Sequence, residues 1–434
     1  MIAVPGSTPS IRISVSSPFI LYDAAPGVKS PNISGVNNCS SIPDRICAVQ
    51  ADRRQVLRNR VFAFLIPWFM DGGIVFLQTA MPLMVVRLGA SALLLGSIGW
   101  IGQAFRLPVC LFAGQLSERV GRVSVIVPAA CLFGLGCVLM SSATSPWQVL
   151  PCYVIALASI GSFYPPLQAL IGDVSQHSEL RKSLGAFNLG WCTGSAVAAL
   201  CAPILVGSGL ARTLQAGAGA SFTAALLVLC WRWSSKRARQ TASANGPSNP
   251  PSPESLLLLA RIGHFVSYYG YSTIRIMFPK YAISGLGWSD VLVAWATAQH
   301  LVGLGLGVAL AGVSGWWRGK LWPIAGALAM MMVSGAVGAI SHTLVPTALA
   351  FFAFGFSQSV VYTAALYYGL SAAGNRGRNA GVHESLVAAG GISGCLLGGI
   401  AAQQIGLAAP LVLLAVLSGL ALVLVLFLGF QRKQ

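Results

Sequence analysis

The sequence predicts an all-α polytopic membrane protein, with twelve transmembrane helices as two pseudo-symmetric six-helix bundles. Three observations predict it. The 434 residues are 55% hydrophobic and 9% charged, with a mean hydropathy of +0.74, beyond what a soluble domain of this size carries. The apolar runs persist for roughly 20 residues, the length a helix needs to cross a bilayer, whereas barrel strands would alternate over about ten. Landmarks of the first half also recur in the second: Pro82 and Pro279, and Arg181 and Arg378, lie 197 residues apart, and Gly114 and Gly312 lie 198 apart.

In chain order, residues 1–57 are rich in Ser, Pro, Asn and Gly without a persistent helical period, which predicts a disordered cytoplasmic tail. The tail lacks a basic start followed by an apolar core, so it does not read as a secretory signal; a Ser-rich, acid-poor organelle transit segment is the alternative, and the tail's sequons at Asn32 and Asn38 carry no weight on the cytoplasmic side. Apolar run length then places spans at 61–86, 92–113, 123–142, 147–170, 183–207 and 211–231. These form an N-terminal bundle over 58–231. Residues 232–255 begin basic and continue as Asn-Gly-Pro-Ser-Asn-Pro-Pro-Ser-Pro, a composition expected of a cytoplasmic linker. Six further spans, 256–282, 289–313, 321–341, 346–370, 380–404 and 408–430, form the C-terminal bundle over 256–434.

Lys and Arg number 27 against 10 acidic residues, a net charge of +17. In a soluble protein that excess would suggest a nucleic-acid partner, but its placement here suggests none. Arg53, Arg54, Arg58, Arg60, Arg119, Arg122, Arg181, Lys182, Arg232, Lys236, Arg237, Arg239, Arg318, Lys320, Arg376, Arg378, Arg432 and Lys433 cluster at one set of span ends. The other ends carry Arg87, Arg212 and Lys280. This asymmetry puts both termini in the cytoplasm; the plasma (cytoplasmic or inner) membrane is the expected location. Eight of the ten cysteines fall in or beside apolar helices and none forms a CxxC pair, so they read as small packing residues. No metal and no cofactor are expected.

One short stretch is more specific. Gly114-Gln-Leu-Ser-Glu-Arg-Val-Gly-Arg122 separates the second and third spans, and its pattern Gly-x-x-x-acid-Arg-x-Gly-Arg resembles the loop between the second and third helices of the major facilitator superfamily. The second copy, Gly312-Val-Ser-Gly-Trp-Trp-Arg-Gly-Lys320, keeps both glycines and the final cation but has Trp316 where Glu118 stands. The resemblance covers about 58 to 432. It implies two halves related by an axis along the membrane normal, alternating access, and a binding cavity near the midplane. Gly390 to Gly399 resembles the glycine signature of facilitator antiporters, but it lies in the eleventh span with Cys395 where proline is usual, and the basic fourth-span motif is missing. Both departures weigh against a drug antiporter.

Ionisable residues inside spans are costly and therefore candidates for function. Asp71, Arg106, Arg261, His264, Arg275, His300, His383 and Glu384 qualify. In the seventh span Arg261, His264, Tyr268, Tyr271 and Arg275 are spaced by three and four residues and share one face, which must line a cavity or a polar interface. The first span repeats this more weakly with Trp68, Asp71, Val75, Gln78 and Pro82. The 197-residue offset pairs Asp71 with Tyr268 and Gln78 with Arg275, so the two faces are expected to meet near the midplane. Tyr164, Asn188, Trp191, Gln299, His300, Gln358 and Tyr362 stand on neighbouring helices; taken singly, each is more often a satisfied polar group between helices than a ligand.

The functional expectation is a proton-coupled secondary transporter of a small organic solute, with Asp71 and Glu384 supplying the protonatable carboxylates. Gln78, Arg106, Tyr164, Tyr268, Tyr271, Arg275, His300, Gln358 and Tyr362 would line the cavity. The chain is expected to act as a monomer among membrane lipids. Efflux of amphipathic compounds is the rival within the class, and a transporter-like receptor or assembly factor the rival outside it. No GxxxxGKS, HExxH or GxSxG element points to ATP-driven transport or to an enzyme. In the loop, Gly114 is expected to pack closely, Glu118 to face the start of the eleventh span, and Arg119, Gly121 and Arg122 to form and pin the turn, together acting as a gate.

Overall fold

A computed structural model describes residues 42–175, 177–234, 254–371 and 376–431. Its first six helices are α1 (Ile42–Arg87), α2 (Ala92–Val120), α3 (Arg122–Ser141), α4 (Pro146–Val174), α5 (His177–Ser208) and α6 (Leu210–Ser234). The seventh, α7, is composite: Glu254–Ser272 is regular, Thr273–Met277 and Tyr281–Gly285 are π-helical, and Phe278–Lys280 joins them. Then follow α8 (Asp290–Val313), α9 (Trp322–Ile340), α10 (Leu344–Ser371), α11 (Arg376–Gln404) and α12 (Ala409–Gln431). Among the described residues eleven helices are long and apolar enough to cross a membrane, and α7 misses that count because its π turns divide it. Among the described residues there is no strand.

Two boundaries differ from expectation. Residues 42–57, expected as irregular tail, are helical. After Pro43 the local sequence, from Ala48 to Leu57, is built of helix-compatible residues without Gly or Pro, and local propensity outweighs the composition of the tail upstream. The remainder of the tail, 1–41, and the linker from 235 to 253 lie outside the described residues. The loop from Gly114 to Arg122 is also not a loop throughout: α2 runs on to Val120, Gly121 alone breaks the helix with φ +95°, and Arg122 opens α3. Only glycine adopts that backbone conformation without strain.

The duplication extends to the backbone. The glycines with positive φ among the described residues are Gly89, Gly121, Gly209, Gly287, Gly319 and Gly406. They pair as Gly89 with Gly287, Gly121 with Gly319, and Gly209 with Gly406, at the same offset of 197 or 198 residues as the prolines. The caps repeat as well: the hydroxyl of Ser91 accepts from the Leu94 N–H at 3.1 Å, and that of Ser289, 198 residues later, from the Leu292 N–H at 3.4 Å.

Two main buried cores follow this division. One draws on residues 63–231 and admits Ile276, Met277, Cys395 and Ala402; the other draws on 256–425 and admits Leu83 and Val206. Helices from opposite parts of the chain meet where α2 packs on α11 and α5 on α8. At the first crossing a Cβ on Gly96 would lie 2.5 Å from the Cys395 carbonyl oxygen and 2.9 Å from the Gly399 Cα, so only glycine lets these backbones approach.

Candidate functional site

The polar face of α1 meets that of α7 through hydrogen bonds. The Tyr271 hydroxyl donates to Gln78 Oε1. Arg275, which is 2% exposed, donates from Nη2 to Thr79 Oγ1 at 3.2 Å and to the Val75 carbonyl at 3.4 Å. Its Nε has no hydrogen-bond partner. The π turn over Thr273–Met277 carries this arginine, and such turns recur where a helix must present a side chain off the regular register.

Asp71, half-buried on α1, accepts a hydrogen bond from the Tyr164 hydroxyl of α4. Arg106 of α2 lies within electrostatic range of Asp71, Tyr268 and Glu384. No ion pair among the described residues joins Arg106 or Arg275 to a carboxylate. A guanidinium left in that state inside a protein is costly unless water or a ligand reaches it. Glu384 on α11 is exposed, whereas Asp71 is half-buried.

Between these charges runs a chain of aromatic and imidazole rings. From α5, Trp191 contacts Tyr362 of α10 at 6.2 Å between centroids. Tyr362 contacts His264 at 5.7 Å and His383 at 5.1 Å; His264 contacts Tyr268 at 5.1 Å; Tyr268 contacts Tyr271 at 5.7 Å; and Tyr271 contacts His300 at 5.2 Å. His300 Nε2 lies 2.7 Å from Gln358 Oε1, so this fully buried ring donates to the amide oxygen. Asn188 accepts from Trp191 Nε1 at 3.2 Å. The structure therefore links Tyr268, Tyr271, Tyr362, His300 and Gln358, and sets Asp71 with Tyr164 on the side of α1 and α4.

The expected gate takes a different form. A Cβ on Gly114 would meet nothing within 4 Å, so this glycine does not mediate close packing; its carbonyl accepts from the Ser117 hydroxyl at 2.7 Å and from Arg122 at 3.4 Å. Glu118, whose side chain is 67% exposed, does not face α11 but pairs with Arg122 in its own turn at 3.6 Å. Arg122 also reaches Asp173 at the end of α4, at 3.2 Å. A surface carboxylate four residues from an arginine finds it at low cost, whereas the start of α11 lies far along the chain. Arg119 is exposed. In the second copy, Arg318 lies over the rings of Trp317 and Tyr367, at 5.5 and 5.2 Å, and the Gly319 N–H donates to the Tyr368 hydroxyl at 2.9 Å. Rings there replace the lost carboxylate.

Sequence reasoning missed three contacts. Thr79 and the Val75 carbonyl hold Arg275; Thr79 adjoins Gln78, but a hydroxyl in an apolar helix is too common to single out. The stacking of His264 on His383 joins residues 119 positions apart. Arg87 pairs with Asp290 at 3.0 Å, and its signal was present as opposite charges at the ends of the first and eighth spans.

Two overlapping stretches, residues 21–199 and 63–394, match the family model described as Major Facilitator Superfamily. The chain belongs to the major facilitator superfamily. It is thereby an integral membrane protein of the transporter family whose loop its sequence resembles. Among curated relatives, a gentisate transporter of Corynebacterium glutamicum is 26% identical over 157 residues, 35% of each chain. The multidrug resistance protein MdtG of Escherichia coli is 28% identical over 182 residues, 40% of this chain and 42% of that protein. The matches thus span well under half the length of these relatives. Among solved structures, the POT family transporter PepTSo matches with a TM-score of 0.67 at 13% identity, over 88% of this chain and 98% of that one. An inward-facing bacterial homolog of the lysosomal transporter Spinster matches with a TM-score of 0.64 at 15% identity, over 90% and 98%. These two show a shared fold.

Proposed function

We propose that the protein is a secondary active transporter of a small organic solute, working by alternating access and driven by protons across the plasma membrane. The bundles 58–231 and 256–434 rock against each other about the α1–α7 contact, with both termini in the cytoplasm. One observation carries the reading: Arg106 and Arg275 stand beside a line of tyrosines, and among the described residues neither forms an ion pair with a carboxylate. An anionic group on the solute supplies the missing charge, and the rings supply the apolar walls that ligand sites use. That the gentisate transporter carries an aromatic acid accords with this chemistry.

Asp71 is the protonation switch. Ionised, it accepts from Tyr164 and feels Arg106; protonated, it releases the arginine for the solute. Coupling follows when proton and solute favour the same one of two states. Glu384, in range of Arg106, relays charge from the solvent side. Efflux of amphipathic compounds is the second reading, favoured by the aromatic line and by the match to MdtG. The two separate in one screen. Thermal shifts of the purified protein against gentisate, benzoate and a lipophilic cation, followed by flux in proteoliposomes under an imposed pH gradient, favour the first reading if the carboxylates stabilise and move, and the second if only the cation does. No flux with any of them, beside a stable protein partner on pull-down, would leave the chain a transporter-like receptor.

A further inference from the structure

His264 and His383 form the closest ring pair of the site. Their centroids are 4.1 Å apart and their planes 18° from parallel, one ring on α7 and the other on α11. They are 0% and 5% exposed, and none of their four ring nitrogens has a hydrogen-bond partner. Buried polar atoms in folded proteins are nearly always paired, and four orphans in one stack ask for an occupant. No cluster of three metal-ligating groups is present among the described residues, so a metal ion is not the occupant the geometry suggests.

We propose that the stacked imidazoles of His264 and His383 are a second proton-binding site, distinct from Asp71, which takes up one proton on a ring nitrogen of one imidazole or the other. A lone pair on a ring nitrogen takes the proton from water entering the cavity and returns it to water, so no other reactant is needed. A second proton would place two like charges at stacking distance, and the rings therefore titrate as one unit. The groups that face the pair set its bias. On α7, Arg261 repels a charge on His383; on α11, Glu384 follows His383 in the chain; on α2, Arg106 lies in range of Tyr268 and Glu384. Tyr268 and Tyr362 flank the stack edge to face, at interplanar angles of 76° and 70°, and their rings stabilise an adjacent cation. Helices α9 and α12 also pack on α7 and carry no titratable side chain, and the side chains of Arg376 and Arg378 lie outside the described residues. Because Tyr268 and Tyr362 belong to the solute-facing line, a charge on the stack is felt where the solute binds.

The inference rests on the proton-coupled reading, yet its test does not need transport. The rate of deuterium exchange at each histidine C2, followed by mass spectrometry across about pH 4 to 9, reads the protonation of every imidazole in the purified protein. We expect linked profiles for His264 and His383 in the wild type. In H264F the midpoint of His383, and in H383Q that of His264, moves by about one pH unit or more, while His300 is unchanged. Unmoved midpoints in both variants, or rings that do not titrate in this range, would overturn the proposal. Should the H264F protein fail to fold, H383Q gives the same measurement. Coupled titration without flux would reject transport and keep the site; flux without coupled titration would do the reverse.

Discussion

Arg87 at the end of α1 grips Asp290, the first residue of α8, with two donors: Nη2 lies 3.0 Å from Oδ1, and Nε lies 3.1 and 3.2 Å from the two oxygens. It is the described ion pair that joins the two bundles, since Arg60 with Glu179 and Arg122 with Asp173 each stay within 58–231. We read it as a latch on the side opposite Gly121. Its side chains are 53% and 21% exposed, so it is worth about 0.2–1 kcal/mol and shifts the two-state balance by at most roughly fivefold. Arg87→Gln or Asp290→Asn should speed amide exchange in residues 84–91 and 286–292. The swap of Arg87→Asp with Asp290→Arg should restore it; if the single variants exchange like the wild type, the pair latches nothing.

The α2–α11 crossing predicts opposite outcomes for two glycines. Gly96→Val should lower the melting temperature, because even a Cβ lies 2.5 Å from a backbone oxygen; overpacking of this kind costs about 1–3 kcal/mol. Gly114→Ala should leave it unchanged, since the space around Gly114 is open. Thermal unfolding in detergent distinguishes them, and equal losses would contradict the crossing.

Arg122 matters more than its partners. It bonds to Asp173, Glu118, Ser117 Oγ and the Gly114 carbonyl, so Arg122→Ala should cost about 1–3 kcal/mol of stability, and Glu118→Gln much less. Comparison of melting temperatures checks this. A larger loss in Glu118→Gln would restore a gating partner for Glu118 beyond its own turn.

Much of this was legible in the sequence. Twelve apolar runs fix twelve helices because run length alone decides what spans a bilayer, and the five polar positions of the seventh span fall on one face because the helix period is fixed. The offset between Gln78 and Arg275 brought the right faces together. It did not reveal that Arg275 bonds to Thr79, since a side chain's partner depends on register within a helical turn, and the π turn beneath Arg275 alters that register. Glu118 was misplaced for a related reason: the family pattern names the residue types, while the local arginine decides which one the carboxylate meets. The His264–His383 stack lies on two helices whose pairing no local pattern encodes.

Proton-driven accumulation of solute in proteoliposomes, compared between wild type and Asp71→Asn, tests the central claim most directly. The wild type should accumulate a carboxylate such as gentisate when a pH gradient is imposed. Asp71→Asn keeps the acceptor for Tyr164 but cannot exchange a proton, so it should exchange bound solute across the membrane without accumulating it. Full accumulation by Asp71→Asn would contradict the account.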